Sequence, residues 1–193
     1  MFVVLTHLPN KANANKEVIM SENQTLSILK ARRSCRSYTD KQVPEDVLAQ
    51  ILEAGTYAAS GRGRQPWKLV AIQDSETIAH LTRMNAAVMG SDRDPFYGAP
   101  TIVVVLVDPS VDTCVEDGSL VMGNLMNAAY ALGVDSCWIH RAYEEFESDE
   151  GKALLKEWGI EGQWRGVGHC ILGYADKPLA TAAPRKDAII YIK

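Results

Sequence analysis

Arg32-Arg33-Ser34-Cys35-Arg36, followed after a helical pattern by Ser60-Gly61-Arg62-Gly63-Arg64-Gln65-Pro66-Trp67, are the two segments from which the rest of this 193-residue chain is read. Three guanidinium groups and a hydroxyl within five residues make a donor-rich claw suited to a phosphate. Arginine offers a planar fork of N–H donors that phosphate oxygens accept in pairs. The same cations at a helix end would also complement its negative dipole, so the cluster alone leaves both readings open. A phosphorylated cofactor is the first expectation.

Working outward, a chain of this length that is 47% hydrophobic can bury one core, and two full domains would be a tight fit. A single domain over 24–193 is expected, preceded by an N-terminal extension over 1–23. In that extension, apolar Phe2-Val3-Val4-Leu5 gives way to the turn-prone stretch from Pro9 to Lys16. A formal charge of −4 argues against a general nucleic-acid binder, which needs a net basic face. No run approaches the ~18 apolar residues that span a bilayer, and Met1 to Leu8 lacks the regions of a signal peptide. The expectation is therefore a cytoplasmic protein with neither nucleic acid nor membrane as partner. Cys35, Cys114, Cys137 and Cys170 are widely spaced, and His7, His80 and His169 show no ligand-like spacing, so reduced thiols and no metal site are expected.

Along the chain, Thr25 is placed to cap a short helix carrying Leu26, Ile28 and Leu29. Pro44, with Glu45 and Asp46, opens an amphipathic helix to about Ala58. Lys68 to Gln73 reads as a strand, Ser75 as the cap of a helix through Met84, and Thr101 to Val107 as a strand buried on both faces. A long helix with several apolar faces runs from Val115 to Leu132 and ends at Gly133. A strand over Ser136–His140, a helix over Ser148–Trp158 and a strand over Gly166–Tyr174 follow, and the β-prone tail Ala188–Ile192 needs a sheet to join. Two helices before the first strand do not suit a doubly wound dinucleotide fold. The order predicts an α+β fold, an α/β/α sandwich whose mixed, mainly antiparallel sheet is flanked by helices.

Taken together, Arg32 to Tyr38, Val43-Pro44, Ile51 to Gly55, Ala58-Ala59-Ser60 and Gln65-Pro66-Trp67 closely resemble the N-terminal signature of the nitroreductase family of flavoenzymes. The resemblance continues through Asp117-Gly118, Ala128 to Val134, Ser136 to Ile139, Gly173-Tyr174 and Pro184-Arg185-Lys186, and covers roughly Leu26 to the C-terminus. It implies a homodimer with tightly bound FMN at each of two interface sites. Hydride would pass from NADH or NADPH through flavin N5 to a nitroaromatic, quinone or related acceptor, by a ping-pong mechanism.

Carried over residue by residue, the resemblance gives Arg32, Arg33, Ser34 and Arg36 to the FMN phosphate and ribityl chain, with Arg185 and Lys186 completing the phosphate site. Ser60, Gly63 and Gln65 fall on the loop that reaches the flavin from the partner subunit. Ile139, His140 and Arg141 fall where backbone N–H groups lie near flavin N5 and O4. The flavin does the redox chemistry in such enzymes, so no side-chain acid, base or nucleophile is required; His140 is the candidate substrate-side residue. Two departures stand out. Gly63 replaces an Asn common among relatives and is flanked by Arg62 and Arg64, two added cations that favour an anionic flavin or substrate. His140-Arg141 stand where glycines are common. The competing readings are another chemistry of the same fold (dehydrogenation, dehalogenation or flavin destruction) and a flavin-binding protein without turnover.

Overall fold

The computed structural model describes residues 23–192 of the protein, and the chain divides into two compact units, Met1–Ala31 and Arg32–Lys193. Apart from Asn23, the expected N-terminal extension lies outside the described residues. In the first unit, helix α1 (Gln24–Ala31) is capped by Asn23, whose Oδ1 accepts the Leu26 N–H at 3.2 Å. The expected cap, Thr25, is already inside the first turn; the Asn23 side chain two residues earlier reaches the N3 amide instead.

The second unit holds α2 (Glu45–Thr56), β1 (Trp67–Ile72), α3 (Ser75–Met89), β2 (Thr101–Val107), α4 (Cys114–Ala131), β3 (Asp135–Ile139), α5 (Ala142–Glu147), α6 (Asp149–Glu157) and β4 (Arg165–Gly173). The sheet order is β1-β2-β4-β3 and all three ladders are antiparallel. The mixed character predicted for the sheet comes down to a single parallel bridge, Ser34 to Ser136. Side-chain alternation sends β2 residues Val103, Val105 and Val107 into one core with Leu48 and Ile51 of α2 and Val121, Met122 and Leu125 of α4. Ile102, Val104 and Leu106 enter a second core with Leu81 and Met84 of α3, Phe146 of α5, and Leu154 and Leu155 of α6. Helices thus cover both faces of one sheet, as predicted, and β2 is buried at all seven positions.

Boundaries move where caps were misread. Asp74, not Ser75, caps α3 by accepting the Thr77 N–H, and the helix runs five residues past Met84 to end at Gly90 in the left-handed region. Ser148 caps α6, and the short α5 before it was not anticipated. The tail Ala188–Ile192 forms no strand and is exposed, with Ile190 at 85%. A β-prone segment without a neighbouring ladder gains nothing from its propensity.

Two close approaches set the layer spacing. A Cβ on Gly118 would lie 2.7 Å from both Val107 and Val167, so this glycine lets α4 rest directly on β2 and β4. A Cβ on Gly168 would collide with the indole of Trp138, which lies across that gap from the neighbouring strand.

Candidate functional site

The arginine cluster begins a segment pinned to the end of the sheet. Cys35 N–H donates to Ser136 O at 3.0 Å, Thr39 N–H to Tyr174 O at 2.9 Å, and Asp176 N–H to Ser37 O at 3.1 Å. Ser34 bridges Ser136 on β3, and Tyr38 bridges Ala175 just past β4. Ser37 Oγ donates to Asp176 Oδ2 at 2.7 Å and the Tyr38 hydroxyl to Cys35 O at 3.2 Å. The segment from Ser34 to Thr39 therefore extends the sheet edge and moves with it.

Within that frame Arg32 is half-buried, and its Nη1 is shielded from water with no hydrogen-bond partner. The Ser136 hydroxyl, on the adjacent strand, is buried and unpartnered in the same way. Orphaned buried donors are rare in folded proteins and mark positions where a ligand or ion supplies the missing acceptor. Arg33 donates from Nη1 to the Arg32 carbonyl at 2.6 Å, and Arg36 is exposed. The Cys170 thiol on β4 is pushed up by burial above all, raised further by Cys137 and opposed by Arg32, whose charge is within electrostatic reach. Burial also raises the Cys35 thiol and the Tyr38 phenol. None of these groups is a nucleophile at neutral pH.

The second segment forms a strained loop. Arg62, Gly63 and Gln65 have φ values of 56°, 67° and 49° around a 3-10 turn at Gly61–Gly63. Non-glycine residues hold such backbone only where their surroundings over-determine it. Here Ser60 Oγ accepts the Gln65 N–H at 3.1 Å, and Gly61 N–H donates to Asp117 Oδ1 at 2.9 Å. Asp117 lies in the first turn of α4, is 3% exposed, and takes the Thr113 hydroxyl on its other oxygen at 2.9 Å. Asp108 N–H donates to Pro66 O at 2.8 Å, tying the loop to the end of β2.

The third segment follows β3. Ile139 is buried, His140 is exposed, and Arg141 takes φ 79° at the entrance to α5. Asn85 of α3, fully buried, donates from Nδ2 to His140 O at 2.9 Å and accepts from Arg141 Nε at 2.9 Å.

Because β2 and β3 are each antiparallel to β4, they finish at the same end of the sheet, so the Ser60–Gln65 loop and the Ile139–Arg141 junction share that end. Ser34, bridged to Ser136, lies toward the other end, three β3 positions from Ile139, or roughly 10 Å at strand spacing. An elongated ligand with an anionic head at Arg32 and a flat body near His140 would run along β3. Arg185 and Lys186 are not drawn into this frame by contact. Both are exposed, Arg185 donates to its own neighbour Ala183 O, and neither makes a hydrogen bond or ion pair with Arg32, Ser34 or Arg36. Sequence reading did not single out Asn85, and Ser136 and Asp117 entered only through the motifs they open. Gly61, which meets Asp117, and His140 and Arg141, which meet Asn85, lie tens of residues away in sequence, and no local pattern marks these contacts.

The profile of the nitroreductase family matches residues 29–92 and 90–174. A crystal structure of a nitroreductase with bound FMN from Bacteroides fragilis superposes at a TM-score of 0.82 with 30% identity, covering 89% of this chain and 100% of that one. A Methanothermobacter thermautotrophicus protein provisionally named NADH dehydrogenase/NAD(P)H nitroreductase is 28% identical over 124 residues, 62% of each chain, so the match spans less than two thirds of that relative's length. Iodotyrosine deiodinase bound to FMN and 3-iodo-L-tyrosine shares the fold at a TM-score of 0.71, with 20% identity over 87% of this chain and 98% of that one.

Proposed function

The chain belongs to the nitroreductase family, and from that membership we propose that it is an FMN-dependent oxidoreductase that takes hydride from NADH or NADPH and passes it to a nitroaromatic, quinone or related acceptor. The observation that carries the reading is the buried Arg32 Nη1 with no acceptor, in a segment clamped to β3. A phosphate oxygen is the acceptor such a donor lacks, and the neighbouring Ser136 hydroxyl adds a second donor from the strand.

In this reading Arg32, Arg33, Ser34 and Arg36 hold the phosphate and ribityl chain, with Arg185 and Lys186 closing over it. Ser60, Gly63 and Gln65 meet the ring from the loop, and Ile139, His140 and Arg141 meet it from the end of β3. FMN held there would supply two-electron chemistry between one substrate and the next, in ping-pong order. The polypeptide's part is to bind, orient and exclude water. The strained loop and the Asn85-clamped junction bring rigid backbone to that task.

Two such sites per homodimer are proposed. Leu120 on α4 is 50% exposed, a Cβ on Gly123 would meet open space, and the apolar tail through Ile190 is uncovered in the single chain. β1 is the sheet edge with no further strand among the described residues, so a partner's tail has a ladder available. The deciding experiment is purification followed by FMN titration and stopped-flow mixing with NADH and NADPH. A yellow protein whose flavin bleaches on mixing and recovers with a nitroaromatic supports the reading. A chain that takes up no FMN sinks it, and one whose flavin stays oxidised is a binding protein instead. Halide release from an iodinated phenol would point to dehalogenation.

A further inference from the structure

We propose that Arg141 is the residue that selects the acceptor, its guanidinium receiving the carboxylate of an anionic aromatic substrate. This rests on the FMN-dependent reading above and names the substrate class for that site.

Arg141 is fixed at both ends. Its backbone is in the left-handed region at φ 79°, an arrangement that persists only when the surroundings impose it. Glu145 N–H donates to Arg141 O at 3.1 Å, and the Glu145 carboxylate lies 2.9 Å from His169 Nε2 on β4, which anchors that turn to the sheet. Its side chain is held through Nε by Asn85 Oδ1, while the other end of the same amide holds the preceding carbonyl, so Asn85 is a positioning residue with both of its ends engaged.

What remains is the outer edge of the guanidinium. No carboxylate among the described residues lies within ion-pair distance of Arg141; the ion pairs present involve His80, Lys152, His169 and Lys177. Arg165 on β4 is different, its guanidinium lying over the Tyr143 ring at 4.4 Å. A half-buried guanidinium whose torsions are already set, and whose Nη donors are left unpaired, suits a planar oxyanion that accepts two parallel hydrogen bonds. Arg62 and Arg64, also without ion pairs, lie on the loop at the same end of the sheet. In a chain of net charge −4 these cations are a local concentration.

The test uses the FMN-loaded protein with 4-nitrobenzoate and 4-nitrobenzyl alcohol, acceptors with the same reducible group. Each nitro group takes one hydride equivalent and one solvent proton to give the nitroso product and water. The ratio of kcat/KM for the carboxylate over the alcohol is expected to favour the carboxylate and to fall ~10-fold in Arg141→Gln, mostly through KM, as befits a charge-assisted hydrogen bond. Arg141→Lys should keep part of the ratio. Asn85→Ala should reduce it part-way, with KM moving more than kcat. A readout without turnover comes from benzoate and benzamide, whose dissociation constants follow from perturbation of the bound flavin's absorption. Their ratio should fall by the same factor in Arg141→Gln.

Equal ratios in wild type and Arg141→Gln overturn the proposal, as does an effect confined to reduction by NADPH, which would give Arg141 to the dinucleotide phosphates. Rates are taken per bound flavin, so any loss of FMN in a variant does not enter the ratio. A wild-type protein that reduces the alcohol without preferring the carboxylate overturns this inference alone. One that binds no FMN overturns the functional reading and this inference together.

Discussion

Glu145 and His169 face each other at 2.9 Å between Oε2 and Nε2, both side chains wholly out of water. The His169 ring lies 5.1 Å from that of Phe96 and 6.2 Å from that of Phe146. Their polar atoms are in short-range contact without the alignment of a hydrogen bond. Removing one partner strands the other in an apolar core, and Glu145→Met alone should cost about 3 kcal/mol. Glu145→Met combined with His169→Phe should recover most of that. Urea midpoints of the two single variants and the double variant decide it; equal losses in single and double would show that the pair is not coupled.

Arg32 presents the opposite balance. With no internal acceptor for Nη1, the side chain costs the unliganded protein stability that only a bound anion returns. Arg32→Met should therefore leave the melting temperature of the FMN-free protein unchanged or raised. FMN affinity should fall ~10–100-fold, the scale of hydrogen bonds to a charged group. Thermal melts with and without FMN, together with a flavin titration, measure both halves.

Asp117→Ala removes the acceptor for both the Gly61 N–H and the Thr113 hydroxyl. The expected loss is about 1–3 kcal/mol, with a loosened Ser60–Gln65 loop. Trypsin reports on the loop directly, because Arg62 and Arg64 are its cleavage sites there. Native-state cutting at these two bonds should accelerate while the rest of the digestion pattern holds.

Gly168→Ala should push the Trp138 indole from its place across β4, at about 1–3 kcal/mol. Tryptophan fluorescence should shift with it. Adding Trp138→Phe should restore most of the stability, since the smaller ring vacates the volume that the new methyl needs.

Asp74 gives a pH signature. The Thr77 hydroxyl and N–H hold its carboxyl below the ordinary 3.8. A carboxyl depressed in the folded state stabilises fully above its unfolded value, and that contribution fades as pH falls through the lower folded value. The stability gap between wild type and Asp74→Ala should be constant at neutral pH and close only in strong acid. A gap that widened as pH fell would contradict the cap.

Much of this was readable in the chain. Seven residues from Thr101 to Val107 with no charged side chain announce a strand covered on both faces, and the strand has those bounds. The helix after Pro44 and the long apolar helix before Gly133 are equally local, because a 3.6-residue period is visible within one turn or two. What escaped is non-local or a contest between neighbours. Asp74 outcompetes Ser75 for the same amide, and Asn85 meets His140 and Arg141 across 55 and 56 positions of sequence. Glu145 and His169 look like an ordinary helix acid and strand histidine until the sheet register places them together. The tail Ile189–Ile192 has strand composition but forms no strand and is exposed. At the site, the arginine cluster and the Gln65 loop were legible as chemistry, whereas the residues that aim them were not.

β4 is the last of the described strands in chain order and is inserted between β2 and β3, pairing with both. Until residues 165–173 leave the ribosome, the hairpin-like β1–β2 pair carries an apolar edge with nothing to cover it, and β3 has no ladder. Closure of the sheet therefore waits on residues 165–173, and a polypeptide stalled or cleaved before Arg165 exposes a template for aggregation. Recombinant fragments ending before β4 should go to inclusion bodies whatever cofactor is supplied.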